Sequence, residues 1–429
     1  MTTNLTIKSN NYNIDLNIPT AAYVHIPFCR RRCFYCDFPI SVLGDRTRGE
    51  NSGTIVQYID ILCQEIAATH PQGKPLTTVF FGGGTPSLLS PEQITRILTI
   101  LADKYGIVSD AEISLEIDPG TFDLPQIQGY KNAGITRFSL GVQAFQDELL
   151  QVCGRSHTTT DILAAIDLIH QLNPTEFSLD LISGLPKQTI EQWQESLEQA
   201  VDINPTHISV YDLIIEDGTA FGRYYQPGSQ PLPSDETTAQ MYRLTQQILT
   251  LSGYEHYEIS NYAQPGHQCR HNRVYWENRP YYAFGMGAAS YLNRQRFTRP
   301  RKRREYYAWV EKLIASDGII DAPQVDENDI LLETLMLGLR LAEGLELADL
   351  AEKFGRETLD KIWQCLQPHY QKGWVKISAN NNSNISLSPS EKLPATGRLK
   401  LTDPEGFLFS NTVLADLFSN LEKKEVGEP

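Results

Sequence analysis

From Ala21 onward, short runs of β-branched and aromatic residues alternate with amphipathic segments of helical period, and this alternation limits the fold of the 429-residue chain more than any other feature. Strands are expected near residues 23–26, 78–81, 113–117, 138–140, 177–182 and 208–211, with helices between them at 55–69, 91–104 and 190–201. A strand that reaches the next strand through a helix pairs with it in parallel, because the crossover returns the chain to its starting end. Six such units are too few to close an eight-stranded barrel and enough for an open, curved one. The expected class is α/β, a partial (β/α)6 TIM-like barrel whose functional residues lie just past the carboxyl ends of the strands. The segment 91–104 carries its own start signal: Ser90 as N-cap, Pro91 in the first turn and Gln93 placed to complete a capping box.

The Pro/Gly/Ser-rich stretch 226–235 reads as a hinge at which the barrel ends. The expected division is an N-terminal extension (1–20), the barrel (21–228), a linker helix with an aromatic-rich region (229–324), and a smaller α+β, winged-helix-like C-terminal domain (325–429). The last is read from two helical patterns within 325–354 and a hairpin of 373–378 with 397–402. Composition narrows the partners. A net charge of −15 repels a phosphate backbone, so nucleic acid is not expected as the main partner. Seven cysteines, three clustered and four scattered, suit reduced thiols better than a disulfide framework. The chain shows neither a run of about twenty apolar residues nor a positively charged start followed by an apolar stretch. The expectation is a cytoplasmic protein without an integral membrane segment.

The chemistry starts at His25-Ile-Pro-Phe-Cys29, where Cys29, Cys33 and Cys36 have the spacing C-x3-C-x2-C. Each iron of a 4Fe-4S cubane takes a soft ligand, so three thiolates leave one iron open to another donor. The competing reading is a zinc site completed by His25 or a distant cysteine, in a binding module without redox chemistry. Further motifs fall beyond the ends of the expected strands: Gly82-Gly83-Gly84-Thr85-Pro86, Glu116, Gln143, Arg155 and Asp180. The glycines permit close backbone approach to a small ligand, although a tight strand-to-helix turn would use them equally. Arg155 suits a carboxylate; Glu116 and Asp180 suit ribose hydroxyls or an ammonium. A zwitterionic nucleoside would need this set, while each residue taken alone reads equally as part of a rim ion pair.

In this order, Tyr23-VHIPFC with the cysteine spacing, GGGTP, SLEIDP, GVQ, Arg155 and LDLISGLP resemble the radical S-adenosylmethionine (SAM) family across nearly the whole chain. The nearer resemblance is to the branch containing the oxygen-independent coproporphyrinogen III oxidases and the HemW-type haem chaperones. It implies that SAM chelates the open iron of a 4Fe-4S cluster on Cys29, Cys33 and Cys36. It also implies that an electron from the cluster cleaves SAM to a 5′-deoxyadenosyl radical. Tyr23, Tyr35, Gly83, Gly84, Thr85, Glu116, Gln143, Arg155 and Asp180 match positions that line the SAM pocket in that family. Several of them serve a second SAM in the oxidases, so one or two SAM molecules are both compatible with the match.

Two departures from the oxidases point to the chaperones. Phe38 stands where the oxidases resemble one another in a fourth cysteine, and the first ligand is already residue 29, where the oxidases carry a longer preceding segment. The stretch His271-Asn272-Arg-Val-Tyr275-Trp276 is similar to an H-N-x-x-Y-W motif of the chaperones. An imidazole can bind iron and aromatic rings can cover a flat macrocycle, so His271 is expected as the haem-iron ligand, with Asn272, Tyr275 and Trp276 around the haem. Cys269 and His267 are rival ligands. The competing reading is a hydrogen-bonded histidine with core aromatics.

Seven basic residues crowd positions 294–304: Arg294, Arg296, Arg299, Arg301, Lys302, Arg303 and Arg304. They read first as a solvated loop, then as a clamp for haem propionates, a dock for an acidic electron donor, or an RNA contact, in that order. By resemblance, then, the chain is expected to bind cluster, SAM and haem, pass haem to an acceptor haem protein and take electrons from a small redox carrier. The sequence fits a monomer or a homodimer. The rival functions are an oxygen-independent coproporphyrinogen III oxidase, with radical decarboxylation of propionates, and a tRNA-modifying radical SAM enzyme.

Overall fold

In the computed structural model, which describes residues 18–44, 49–320, 322–381, 383–388 and 391–421, strand β1 (Ala21–Ile26) is followed by a two-residue parallel pair. This pair, β2 (Phe28–Cys29) with β3 (Ser41–Val42), closes the base of the loop between them. Then come β4 (Leu76–Gly83), β5 (Ile107–Ile117), β6 (Arg137–Gln143), β7 (Glu176–Ser183) and β8 (His207–Asp212), each preceded by helix. Pairing is parallel from β1 through β4, β5, β6 and β7 to β8. These strands read as apolar runs because helices cover the outer face: Val24, Val79, Phe81, Leu115, Phe138, Leu140, Leu179 and Leu181 are completely buried. The helix Pro91–Tyr105 turns Ile94, Ile97, Leu98 and Leu101 inward at helical spacing, and Ser90 with Gln93 forms the capping box. Of the extension expected over 1–20, only Ile18, Pro19 and Thr20 fall within the described residues.

The sheet does not end at the Pro/Gly/Ser-rich hinge. After it, the helix Asp235–Leu251 packs against the helix Ile190–Ile203, where the Trp193 indole donates to Met241 O (3.2 Å) and Thr245 Oγ1 (3.0 Å). Strands β9 (Glu255–Glu258) and β10 (Asn261–Ala263) then add antiparallel to the β8 edge. Across the sheet β11 (Tyr282–Phe284) adds parallel to β1, giving nine strands in the order β11-β1-β4-β5-β6-β7-β8-β10-β9. Segments of three or four residues are too short for an alternation to register in the sequence. They cap two edges that would otherwise present unpaired backbone groups.

Behind β11 lies a hairpin, β12 (Ala289–Leu292) with β13 (Gln295–Thr298), and the helix Arg303–Ala315. Here the basic run separates into residues with different roles. Arg299 is 1% exposed and pairs through Nε with Glu65 Oε1 at 2.7 Å, both side chains wholly shielded. Tyr306 Oη (2.6 Å) and the Gly285 amide (2.8 Å) donate to the other Glu65 oxygen. Reading Arg299 as a solvated-loop residue or a propionate clamp is therefore corrected: its charge is consumed by a buried carboxylate that the sequence places 234 positions away. Arg296 is likewise held, by both oxygens of Glu333.

The C-terminal part has its own core, built from Leu335, Leu347, Ile362, Leu366, Ile377, Leu399 and Val413. Helices Glu327–Gly338, Leu347–Phe354 and Arg356–Gln371 pack with a small sheet of β14 (Leu345–Glu346), β15 (Val375–Ser378), β16 (Asn384–Ile385) and β17 (Arg398–Leu401), in the order β14-β17-β15-β16. Among the described residues, no helix is long and apolar enough to cross a membrane. Removing one partner from a buried ion pair leaves an uncompensated charge, so Arg299→Met is expected to cost about 3–5 kcal/mol. Arg304→Met, at an exposed position of the same run, should stay within about 0.5 kcal/mol; urea unfolding followed by near-UV dichroism compares the two.

Candidate cofactor and ligand site

Parallel register brings the carboxyl ends of β1 and β4–β8 to one rim, and a cavity of about 390 Å³ opens there. Its wall carries Cys29, Cys33 and Cys36 together with Tyr35, Gly83, Gly84, Thr85, Glu116, Gln143, Arg155 and Asp180. The cysteine loop is tied down from several elements. The Phe34 amide donates to Cys153 O (2.9 Å), the Phe221 amide to Phe34 O (2.9 Å), and Arg30 to Gly120 O (2.7 Å). All three thiols are free. Burial pushes Cys29 up to about 12 and also raises Cys36. A bound cation must therefore supply what stabilises the thiolates. Among the described residues no three His, Cys, Asp or Glu side chains converge to hold a single ion. The three thiols line one shared cavity, as ligands to a cubane would, each thiolate meeting a different iron.

The polar wall fits an ion-bearing ligand. Arg155 Nη2 donates to Asp118 Oδ1 (2.6 Å) and Gly141 O (3.2 Å), its Nη1 faces Cys33 Sγ (3.4 Å), and its buried Nε has no protein partner. Thr85 Oγ1 donates to Asp118 Oδ2 (3.0 Å). Gln143 is brought in by a register shift between Gly141 and Gln143 and sits at φ 68, a conformation that non-glycine residues hold only where their surroundings enforce it. The glycines turn out to serve the chain's own packing. A Cβ on Gly83, at φ +108, would meet the His25 ring at 2.3 Å, and one on Gly84 would meet Ile26 O at 2.7 Å. Asp118, also in the SLEIDP stretch, joins this wall although it is not among the residues expected there from the sequence. Its place immediately past the β5 end, two residues after Glu116, is the available signal.

A second cavity, about 370 Å³, adjoins the first along the barrel interior. The two share Phe38, Gly83, Glu116, Ser139, Asp180 and Tyr211. Tyr23 belongs to this second cavity, as do His271, Asn272, Tyr275 and Cys269. Trp276 is not brought together with them: it lines a separate cleft with Arg273 and Glu343 and hydrogen-bonds Glu258. His267 is also outside, with Nδ1 3.0 Å from Glu176. The motif helix Arg270–Trp276 is held by a residue that nothing in the sequence marked. Glu112 accepts from the amides of Arg270 (3.0 Å) and His271 (2.9 Å), placing a carboxylate on the helix amino end, and pairs with Arg137 Nε at 3.1 Å.

Both carboxyls shared between the cavities are displaced upward. Burial, then the proximity of Asp180, raises Glu116 to about 8; burial raises Asp180 to about 6, against hydrogen bonds from Ser209 and Ser139. Burial lowers His271 to about 3, keeping the imidazole neutral.

Residues 23–200 match the Radical SAM superfamily and residues 325–389 match the HemN C-terminal domain. The chain is 49% identical over 407 residues to the heme chaperone HemW of a Synechocystis species, covering 95% of this chain and 98% of that one. To the heme chaperone HemW of Bacillus subtilis it is 34% identical over 379 residues, covering 87% and 96%. The solved structure of Escherichia coli coproporphyrinogen III oxidase (HemN), a radical SAM enzyme, superposes with a TM-score of 0.76 at 23% identity, over 94% of this chain and 90% of that one. At that identity the likeness concerns the fold.

A carboxyl raised in the folded state binds its proton more tightly folded than unfolded. Its contribution is complete below the ordinary value of 4.5 and is lost as pH rises through about 8. The ligand-free protein should therefore melt progressively lower from pH 4.5 to 8, and Glu116→Gln should flatten that decline in a series of thermal melts.

Proposed function

The chain belongs to the radical SAM superfamily, in its HemN-like branch and of HemW type, and from that premise we propose that it is a haem chaperone: it binds haem beside its cluster and SAM and passes it to an acceptor haem protein. One observation carries the reading. The helix bearing His271, Asn272 and Tyr275 faces a cavity that adjoins the cavity of the three thiols, with Glu116 and Asp180 in the common wall.

Cys29, Cys33 and Cys36 would hold the cluster, and the free Arg155 Nε with the Thr85, Glu116, Asp118, Gln143 and Asp180 side chains would take the polar groups of SAM. When bound, the pair supplies one-electron chemistry at the sulfonium. The chain's part is positioning. Tyr35 and Ile182 wall the cavity, and Arg155 keeps its guanidinium fixed between Asp118 and Cys33. Phe38, 60% exposed, is shared by both cavities, so the place of a fourth thiol holds an apolar ring on the path between them.

Electrons are supplied by a small acidic redox carrier. Arg301 donates to Asp37 O at 2.7 Å, beside Cys36, which brings an exposed arginine of the basic run against the cluster loop of an otherwise acidic protein. Reduction of the cluster by an acidic flavoprotein is expected to slow as ionic strength rises toward about 0.15 M, where charges more than about 8 Å apart are screened; stopped-flow bleaching of the cluster absorbance measures it.

The chaperone reading is tested by anaerobic reconstitution, ferric haem titration and, in the same preparation, a coproporphyrinogen decarboxylation assay. Stoichiometric haem uptake followed by transfer to an apo haem protein, with no loss of propionate carboxyls, is the expected result. Efficient decarboxylation would replace this reading with the oxidase.

A further inference from the structure

Three histidines line the second cavity, and each has both ring nitrogens engaged. His25 Nδ1 meets Tyr23 Oη at 3.0 Å and its Nε2 meets Pro39 O at 3.2 Å. His207 lies between Ser178 Oγ (2.8 Å) and Tyr257 Oη (2.9 Å). His271 lies between Thr78 Oγ1 (2.8 Å) and Tyr275 Oη (2.9 Å), is 0% exposed and stacks on Phe80. The Cys269 thiol is buried against Glu112. Tyr275, in contrast, keeps part of its surface open and lines the cavity, its ring fixed edge-on against His271 and Tyr281. Within this helix Tyr275 is therefore the less enclosed of the two residues, and its phenol oxygen lies 2.9 Å from His271 Nε2.

Resting on the reading that haem binds at this helix, we propose that the Tyr275 phenol oxygen, and not His271, is the protein ligand to ferric haem iron, and that His271 is a positioning residue that holds it. Phenolate is an established axial donor to ferric haem. The exchange balances without a redox change: the iron–hydroxide bond of ferric haem breaks as the iron–phenolate bond forms, and the phenol proton leaves with the hydroxide as water.

The neighbouring hydrogen bonds choose Tyr275 over Tyr23. Pro39 offers only a carbonyl, so His25 must carry its proton on Nε2 and present a bare Nδ1, to which Tyr23 has to donate. The Tyr23 oxygen is thereby committed as a donor. At His271 the Thr78 hydroxyl can rotate to donate to Nδ1, leaving Nε2–H to donate to a phenolate on Tyr275. That neutral tautomer supports a negative oxygen without adding a charge.

The test is resonance Raman spectroscopy of the anaerobically reconstituted protein loaded with ferric haem, prepared with ordinary and with ring-deuterated tyrosine. The wild type should show iron-enhanced phenolate bands that shift on deuteration. Tyr275→Phe should lose them and bind ferric haem at least tenfold more weakly, while His271→Gln should keep the bands with weaker binding. Absence of isotope-sensitive bands in the wild type overturns the proposal without any variant, as does Tyr275→Phe retaining the wild-type axial-ligand spectrum. Unchanged haem affinity in both variants would instead dismiss the helix as the haem site, and the ligand assignment with it.

Discussion

Parallel pairing in register is the constraint on which the rest of this structure depends. Because β1 and β4 to β8 all run the same way, residues taken from the ends of six strands share one rim without any long-range signal to gather them. The cysteine loop closes over that rim through β2 and β3, and is secured from below by the Cys153 carbonyl and from the side by Phe221. What looks in the sequence like a string of separate motifs is one wall.

Burying charge in and behind that wall is costly, and the charges are compensated unevenly. Glu112 is satisfied by a helix amino end and a guanidinium, and Glu65 by Arg299, Tyr306 and a backbone amide; both act as structural pins. Among the described residues no cation is bonded to Glu116 or Asp180, and burial drives both toward the neutral form. Arg155 retains an unpartnered nitrogen. Incomplete compensation gathered at one place separates a ligand-facing wall from a merely well-packed one.

Much of this was legible beforehand, and the remainder was hidden for identifiable reasons. The six strands, the capping box at Ser90 and the helix Asp235–Leu251 follow from local periodicity and end signals, which a linear reading captures. The edge strands β9, β10 and β11 do not, since three or four residues carry too little alternation. Among site residues, the rim positions stood at strand ends and could be named, whereas Glu112 lies inside β5, a carboxylate away from the strand end, and acquires its role only when a helix 158 positions later docks on it. Trp276 adjoins Tyr275 in sequence yet faces another cleft, because one step along a helix turns the side chain by about 100°. The basic run misled for a similar reason: charge counted along the chain says nothing of which cations have buried partners.

The flank of β1 has a consequence for the order in which the molecule assembles. Ala22 pairs with Tyr282, so the first strand to be synthesised acquires its second neighbour only after nearly the whole barrel has been made. Until then its outer backbone groups lie open beside the cysteine loop, and contacts so distant along the chain form late because closing a long loop is entropically expensive. A nascent chain stalled before β11 would leave that strand edge unpaired beside its cysteine loop. That seam is sealed only once the chain through β11 has been made.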